Sequence, residues 1–384
     1  MILNLRQLNG RPAEMAHNSE MVVTLSPAHR NRLELIDRAR RVVLNGEPVA
    51  EPPAIEPWLE RSWRRCLARG QQPQERLGFD LIAAPARLRV VEANQAIVQA
   101  ARPVLERLAR ALANTRYFAI LTDPNGVVVD TFGPIDRADR RADLITRIGV
   151  DLSEAAVGTT AIGAALSELK PVWLHRGEHF FADTSVYSCA GAPLFGPDGR
   201  CVGMLDLTGI DAAERPELKH LAAQAVRSIE NALTLSLRHS LLLRLNWPGR
   251  TLGGEDDGLV CMDADGWIKG SNDTARQMLP ELALPGAAAH CSELFAQRWE
   301  PWFDLARLSE PQPVEVPLWS GLRLQALPQL PGQPETAVAP RVPLRDVEIA
   351  LIRKAVADAR GNVVKAAQSL GISRATVYRK LGKK

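Results

Sequence analysis

Arg374, Thr376, Arg379 and Lys380 crowd into seven positions near the end of this 384-residue chain. An arginine fork donates two hydrogen bonds to guanine O6 and N7, and a threonine reaches a thymine methyl or a phosphate. That chemistry requires a helix that turns these side chains away from its own core. Arg374–Leu381 has the pattern: Ser373 is the expected N-cap, Val377 and Leu381 turn inward, and Ala375, Thr376, Arg379 and Lys380 face outward. Ahead of it, Asn362–Leu370 predicts a shorter helix ended by Gly371. Leu344, Val347, Leu351, Ala355 and Ala359 predict a first helix ended by Gly361. Ala367, Gly371 and Val377 then stand where a helix-turn-helix needs a small contact residue, a positive-φ turn and a plug between helices. Leu370 and Ile372 join Leu381 in that small core, and Tyr378 is expected either at its edge or, as the alternative, on a phosphate. Ser373 and Arg374 begin the reading helix; Lys365, Lys383 and Lys384 are placed for phosphates, which add affinity without sequence information.

The charge distribution agrees. The whole chain carries only +3, yet Arg341–Lys384 holds eleven lysines and arginines against three acids, a local +8, which leaves −5 on the other 340 residues. A basic head on a mildly acidic body is the footprint of a nucleic-acid reader with a separate part that does not touch DNA. A solvated tail or a plain three-helix bundle would explain the charge but not the turn residues.

The length predicts about two to three domains. Hydrophobic residues at 46% and charged residues at 24% exclude broad disorder, and 27 Gly with 27 Pro exclude a collagen-like chain. Met1–Gly10 lacks a basic segment followed by an apolar stretch, and the most apolar window, Leu233–Trp247, contains Arg238, His239 and Arg244. Five scattered cysteines form no C-x-x-C pair. The expectation is a soluble, reduced, cytoplasmic protein without a membrane segment or a cofactor.

Several elements must carry the head. The first twenty residues show no periodicity. Ser26-Pro27 opens a helix that runs to Asn45-Gly46, and Trp58, Leu59, Trp63 and Leu67 make an amphipathic helix stopped by Gly70. Pro85–Asn114 reads as one more helical stretch. Phe118–Thr122 and Val127–Phe132 flank Asp123-Pro-Asn-Gly126, a hairpin whose turn residues accept positive φ. Ala192–Phe195 and Cys201–Leu207 repeat the theme around Gly196-Pro-Asp-Gly199, and Pro171–His175 adds a strand. Gly149–Leu169 reads as loop plus short helix. Beyond Gly209, Leu218, Leu221, Ala225, Ser228, Ala232, Leu235 and Leu242 recur in steps of three and four, with His239 in step. This seam fits either an intramolecular helix on the sheet or a parallel helix pair in a dimer. Gly258–Asp263, the turn Ala264-Asp-Gly266, Trp267–Gly270 and helical Asn272–Leu279 predict a second small domain. Five prolines, from Pro328 to Pro343, mark a semi-rigid linker.

Gly361-Asn362, Ala366-Ala367, Leu370-Gly-Ile-Ser-Arg374, Thr376 and Tyr378-Arg-Lys-Leu381 resemble the Fis-type helix-turn-helix that closes many bacterial enhancer-binding activators. Gly158-Thr-Thr-Ala-Ile-Gly163, Glu178-His-Phe180, Ser188-Cys-Ala-Gly-Ala-Pro193, Asp198-Gly199 and Leu205-Asp-Leu-Thr-Gly209 resemble the GAF sensor domain of the acetoin-catabolism activator type. Ser62-Trp63, Arg65-Cys66 and Gly70 match that family's amino-terminal helix, and Gly258–Leu279 is similar to a PAS domain. The resemblance implies an α+β protein: an N-terminal helical region (1–84), a GAF domain with an antiparallel sheet, flanking helices and a signalling helix (85–240), a smaller PAS-like α+β domain (250–327), the proline-rich linker (328–343) and an all-α helix-turn-helix (344–384). Those activators carry an AAA+ ATPase before the DNA-binding part. Here no G-x-x-x-x-G-K phosphate loop occurs, and the sole Gly-Lys pair is Gly382-Lys383. ATP-driven remodelling of sigma-54 polymerase is therefore not expected.

A GAF fold implies a small ligand between the sheet and its helical excursion, with Thr160, Trp173, His179, Phe181, Tyr187 and Cys189 as candidates; ordinary packing competes at each. His175 and His179 have metal-ligand spacing only if helical, and Pro171–Leu174 reads as strand. Cys189 has apolar neighbours and is expected to be an inert thiol. No catalytic constellation is visible. The expected function is a non-enzymatic regulator that binds double-stranded DNA at an inverted repeat as a homodimer. It would sense a small effector, with RNA polymerase or a signalling protein as a further partner. The alternative is an ATPase-free interaction protein that pairs with a full-length activator or is docked by another signalling protein.

Overall fold

The computed structural model describes residues 27–48, 55–284, 288–310, 312–333, 352–356, 358–359 and 361–381. The chain divides after Glu56 into two units. In the first, α1 (Pro27–Asn45) begins at the proline and ends before Gly46, which has φ +73°.

The second unit opens with α2 (Pro57–Ala68), α3 (Ala84–Ala93) and α4 (Gln95–Leu112). The single helix expected over 85–114 is two, because the Asn94 side chain donates to the Val90 carbonyl at 2.7 Å and competes with the helical backbone. Five strands follow: β1 (Tyr117–Thr122), β2 (Val128–Phe132), β3 (Val172–His175), β4 (Tyr187–Phe195) and β5 (Cys201–Ile210). They form an antiparallel sheet in the order β2-β1-β5-β4-β3. The first hairpin turns as its residues require: Asp123 Oδ1 accepts the Asn125 and Val127 amides at 2.9 and 2.8 Å, and Gly126 has φ +86°.

Strand alternation sorts the side chains. Ala119, Leu121, Ala190, Ala192, Leu205 and Leu207 pack on α4 and α8 (Leu218–Leu235). Ile120, Cys189, Gly191 and Asp206 face the other way, towards the segment carrying α5 (Arg140–Ile145), α6 (Glu154–Val157) and α7 (Ala161–Glu168). The loop-plus-helix expected over 149–169 thus holds two helices. α7 comes so close that a Cβ on Gly191 would lie 2.9 Å from the Ala161 carbonyl oxygen.

α8 packs within its own chain. Its buried residues Leu218, Ala222, Ala225, Val226, Ile229 and Leu233 follow the 3.6-residue helical period rather than the expected heptad, and the helix ends at Leu235. Leu242 is therefore not a seam residue. It lies in β6 (Leu241–Asn246), every residue of which is buried. Hydrogen bonding to strands on both sides outweighs the helix propensity of that leucine run.

β6 is the middle strand of a second antiparallel sheet, ordered β8-β7-β6-β10-β9, with β7 (Gly258–Met262), β8 (Ile268–Ser271), β9 (Val314–Pro317) and β10 (Arg323–Gln329). Leu241, Leu243 and Leu245 pack on α9 (Asp273–Met278), α10 (Cys291–Leu294) and α11 (Pro301–Ala306) around Phe295 and Trp302. On the opposite face Leu242 meets Leu235 and Leu237 at the end of α8. The strand-turn-strand-helix expected over Gly258–Leu279 is present as β7, β8 and α9. Gly203→Ala, whose Cβ would meet the Thr122 carbonyl oxygen at 2.2 Å, is expected to cost about 2–3 kcal/mol in urea unfolding. Gly254→Ala, with open space around it, should change stability by less than about 0.5 kcal/mol.

Candidate functional site

The C-terminal head is built as its turn residues predict. Asn362 caps the Val363–Ser369 helix by accepting the Val364 and Lys365 amides, both at 3.1 Å. Gly361 and Gly371 have φ +84° and +63°. Ser373 caps the Arg374–Leu381 helix: its hydroxyl accepts the Thr376 amide at 3.1 Å and lies 2.9 Å from the Thr376 hydroxyl. Val377 is fully buried against Ile352 and Ala367, with Val356, Val363, Leu370, Ile372 and Leu381 around them. Of the expected first-helix face, Leu344, Val347 and Leu351 lie outside the described residues; Ile352 and Val356 do the packing that was assigned to Ala355 and Ala359. Lys365, Ser373, Arg374, Ala375 and Arg379 are exposed, Thr376 and Lys380 half-buried. Tyr378 is 40% exposed, on the surface rather than in the core. Lys383 and Lys384 lie outside the described residues. The final helix therefore turns one apolar edge inward and presents its polar and cationic side chains together.

The first sheet carries a cavity of about 30 Å³ on its α7 face. Thr160, His179, Tyr187 and Cys189 line it, together with Ile120, Leu152, Val157 and Ile162. Thr160 caps α7 by accepting the Gly163 amide at 3.3 Å, and His179 Nδ1 donates to the Arg176 carbonyl at 2.9 Å. The Tyr187 hydroxyl donates to the Arg141 carbonyl at 3.2 Å. Burial pushes the Cys189 thiol well above its ordinary 9.0, which rules out a reactive thiolate at neutral pH. Two candidates do not reach the cavity. Trp173 stands opposite Ala190 and so faces α4 and α8. Phe181 packs edge-on against Phe180 at 5.0 Å and covers Gly158, whose Cβ would come within 2.7 Å of its ring. Phe79, Thr184, Asp206 and Thr208 were missed and line the cavity. Asp206 had a signal: it is an acid inside the otherwise apolar run Leu205-Asp-Leu.

The Gly158–Gly163 stretch roofs this cavity and is held from above by α2. Glu154, 5% exposed, accepts from Ser62 Oγ at 2.6 Å, from Arg65 at 2.8 and 2.7 Å and from Arg69 at 2.8 Å. The Ser62 hydroxyl also lies 2.7 Å from that of Thr159, and Trp63 Nε1 donates to the Glu178 carbonyl at 2.9 Å. Burial alone would raise the Glu154 pKa, but the hydrogen bonds from Arg65, Ser62 and Arg69 outweigh it and hold the carboxyl below its ordinary 4.5.

Residues 36–231 match the family described as MimR, N-terminal domain, and residues 343–383 match that described as bacterial regulatory protein, Fis family. The acetoin catabolism regulatory protein of Cupriavidus necator is 31% identical over 289 residues, 73% of this chain and 42% of that protein. The propane 2-monooxygenase operon transcriptional activator MimR of Mycolicibacterium goodii is 30% identical over 51% of this chain and 33% of its own length. The chain thus spans less than half the length of either relative. The DhaR(N)–DhaL complex of E. coli covers 71% of the chain at 15% identity with a TM-score of 0.43, too low to support an argument from fold.

Glu154→Gln should lower stability at pH 7 by about 1–3 kcal/mol, since the amide keeps one accepting oxygen where the carboxylate has two, its nitrogen faces donors, and the arginines lose their counter-charge. Because the folded-state pKa of Glu154 is depressed, its contribution is complete above the ordinary value of 4.5 and is lost as pH falls through the folded value. Urea midpoints measured against pH should fall less steeply in acid for the variant than for the native chain.

Proposed function

This chain belongs to the MimR N-terminal-domain family, and we propose that it is a DNA-binding transcription regulator whose first sheet senses a small effector. The carrying observation is the C-terminal head, where Ser373 caps a helix that buries Val377 and exposes Arg374 and Arg379. That helix suits the major groove: Arg374, Thr376, Arg379 and Lys380 would meet base edges, with Lys365 on the phosphate backbone. We read the first sheet as a GAF domain and the second as a smaller PAS-like domain. A homodimer would set two recognition helices about 34 Å apart on an inverted repeat. Relatives named for acetoin catabolism and a propane 2-monooxygenase operon suggest a catabolic operon as the target.

Anisotropy titrations against an operator selected from genomic fragments test the reading. Arg374→Ala and Arg379→Ala should each weaken specific binding by about 1–3 kcal/mol, roughly five- to 150-fold, and relax sequence preference. Lys365→Ala should weaken all sequences alike and reduce the salt slope by about one. Undiminished specific binding by the double arginine variant rejects the assignment. A purified chain with no specific DNA affinity would instead support an interaction protein docked on another regulator.

A further inference from the structure

The cavity of the first sheet contains a carboxyl group that its surroundings satisfy on one side only. Asp206 is 1% exposed. Its Oδ2 accepts a hydrogen bond from the Thr208 hydroxyl, which lies 3.5 Å from Cys189 Sγ. Its Oδ1 accepts no hydrogen bond among the described residues. Register explains why: Asp206 stands between Ile120 of β1 and Gly191 of β4, and neither brings a polar side chain to meet it. A polar atom buried without a partner is costly, and an apolar residue here would avoid that cost.

Resting on the reading of this cavity as the sensor site, we propose that Asp206 is its recognition group and that Oδ1 meets the carbonyl or hydroxyl oxygen of a small uncharged ligand. Among the described residues no lysine or arginine lines the cavity, so an anion would sit beside a buried acid with no cation there to balance it. The titratable groups that face Asp206 across the cavity are His179, Tyr187 and Cys189. Burial pushes the Asp206 pKa up to about 7, the hydrogen bond from Thr208 offsetting only part of that. Below neutrality the acid is mainly protonated. With Thr208 donating to Oδ2, the acid proton resides on Oδ1 and is available to a ligand oxygen. Ile120, Leu152, Val157 and Ile162 offer contact to a short alkyl group. The volume of about 30 Å³ limits the occupant to a few non-hydrogen atoms, on the order of two to four.

The test uses the full chain with ethanol, 2-propanol and acetone as probes, and acetate and ethylammonium as charged molecules of similar size. Calorimetry reads affinity, and infrared difference spectra read the carboxylic C=O band. At least one neutral probe is expected to bind with a Kd on the order of millimolar, as so few contact atoms allow, and the charged molecules at least roughly tenfold more weakly. Binding should shift the carboxylic band of the unsubstituted chain, a shift absent in Asp206→Asn. The amide keeps a donor, so Asp206→Asn should retain affinity within about fivefold, while Asp206→Val loses about tenfold or more. The assignment is overturned by native affinity in Asp206→Val, by preference for acetate or ethylammonium, by binding without a band shift, or by no probe binding at all. The band is read in the native chain, so the test does not depend on the folding of the valine variant. DNA titrations on the same preparations keep the two readings apart. A chain that binds its operator but no probe loses the Asp206 assignment alone. A chain that binds a probe in this way but no DNA specifically loses the regulator reading alone.

Discussion

A buried carboxylate, Glu154, ties α2 to the roof of the cavity in the first sheet. A lone ionised acid in that position would be prohibitively desolvated, so its burial depends on the fork of Arg65, on Arg69 and on Ser62 all donating to it. The arginines remain in contact with water at their outer edges, with side chains 33% and 44% exposed, and for Arg65 the hydrogen bond to Glu154 outweighs the cost of its partial burial. The result is directional. Ser62 reaches Glu154 and Thr159 together, and so the register of α2 against the Gly158–Gly163 stretch is set by hydrogen bonds rather than by shape alone.

Close approach then transmits that placement to the sheet. Gly163 passes Glu154 at a distance that leaves no room for a Cβ, and Gly191 does the same beneath Ala161. With these side chains missing, α7 lies low over β4 and β5, and what stays between them is the small cavity walled by aliphatic side chains and floored by Asp206.

The two sheets meet through polar contacts as well as through the apolar cluster of Leu242, Leu259 and Cys261 with Leu235 and Leu237. Asn272 donates to Asn231 of α8 at 2.7 Å, and the Ser271 amide donates to the Pro197 carbonyl in the β4–β5 turn at 2.8 Å. Glu230 of α8 accepts the Phe195 amide at 2.8 Å. Burial pushes its pKa up to about 8, the hydrogen bond from the Phe195 amide offsetting part of that.

Local chemistry was legible wherever it acts within a few residues. Asn362, Gly371, Ser373 and Val377 specify the caps, turn and plug of the head without help from elsewhere, and Asp123 with Gly126 specifies the first hairpin turn. The Gly158–Gly163 motif was visible as a pattern, but its reason was not, since Gly158 answers to Phe181 and Gly163 to Glu154 of the preceding helix, contacts that only folding creates. Leu242 misled because a leucine run suits a helix by propensity, whereas two flanking strands decide otherwise. Trp173 and Phe181 have the composition of pocket residues, yet strand parity and a neighbouring ring direct them elsewhere. Sequence by itself determined the basic charge of the head, the caps of its last two helices and the hairpins, because caps, turns and charge are short-range properties. Only the tertiary structure decided which face of the sheet holds a cavity and that Asp206 lies on it with an oxygen unmet, because burial and hydrogen-bond satisfaction depend on segments that meet only after folding.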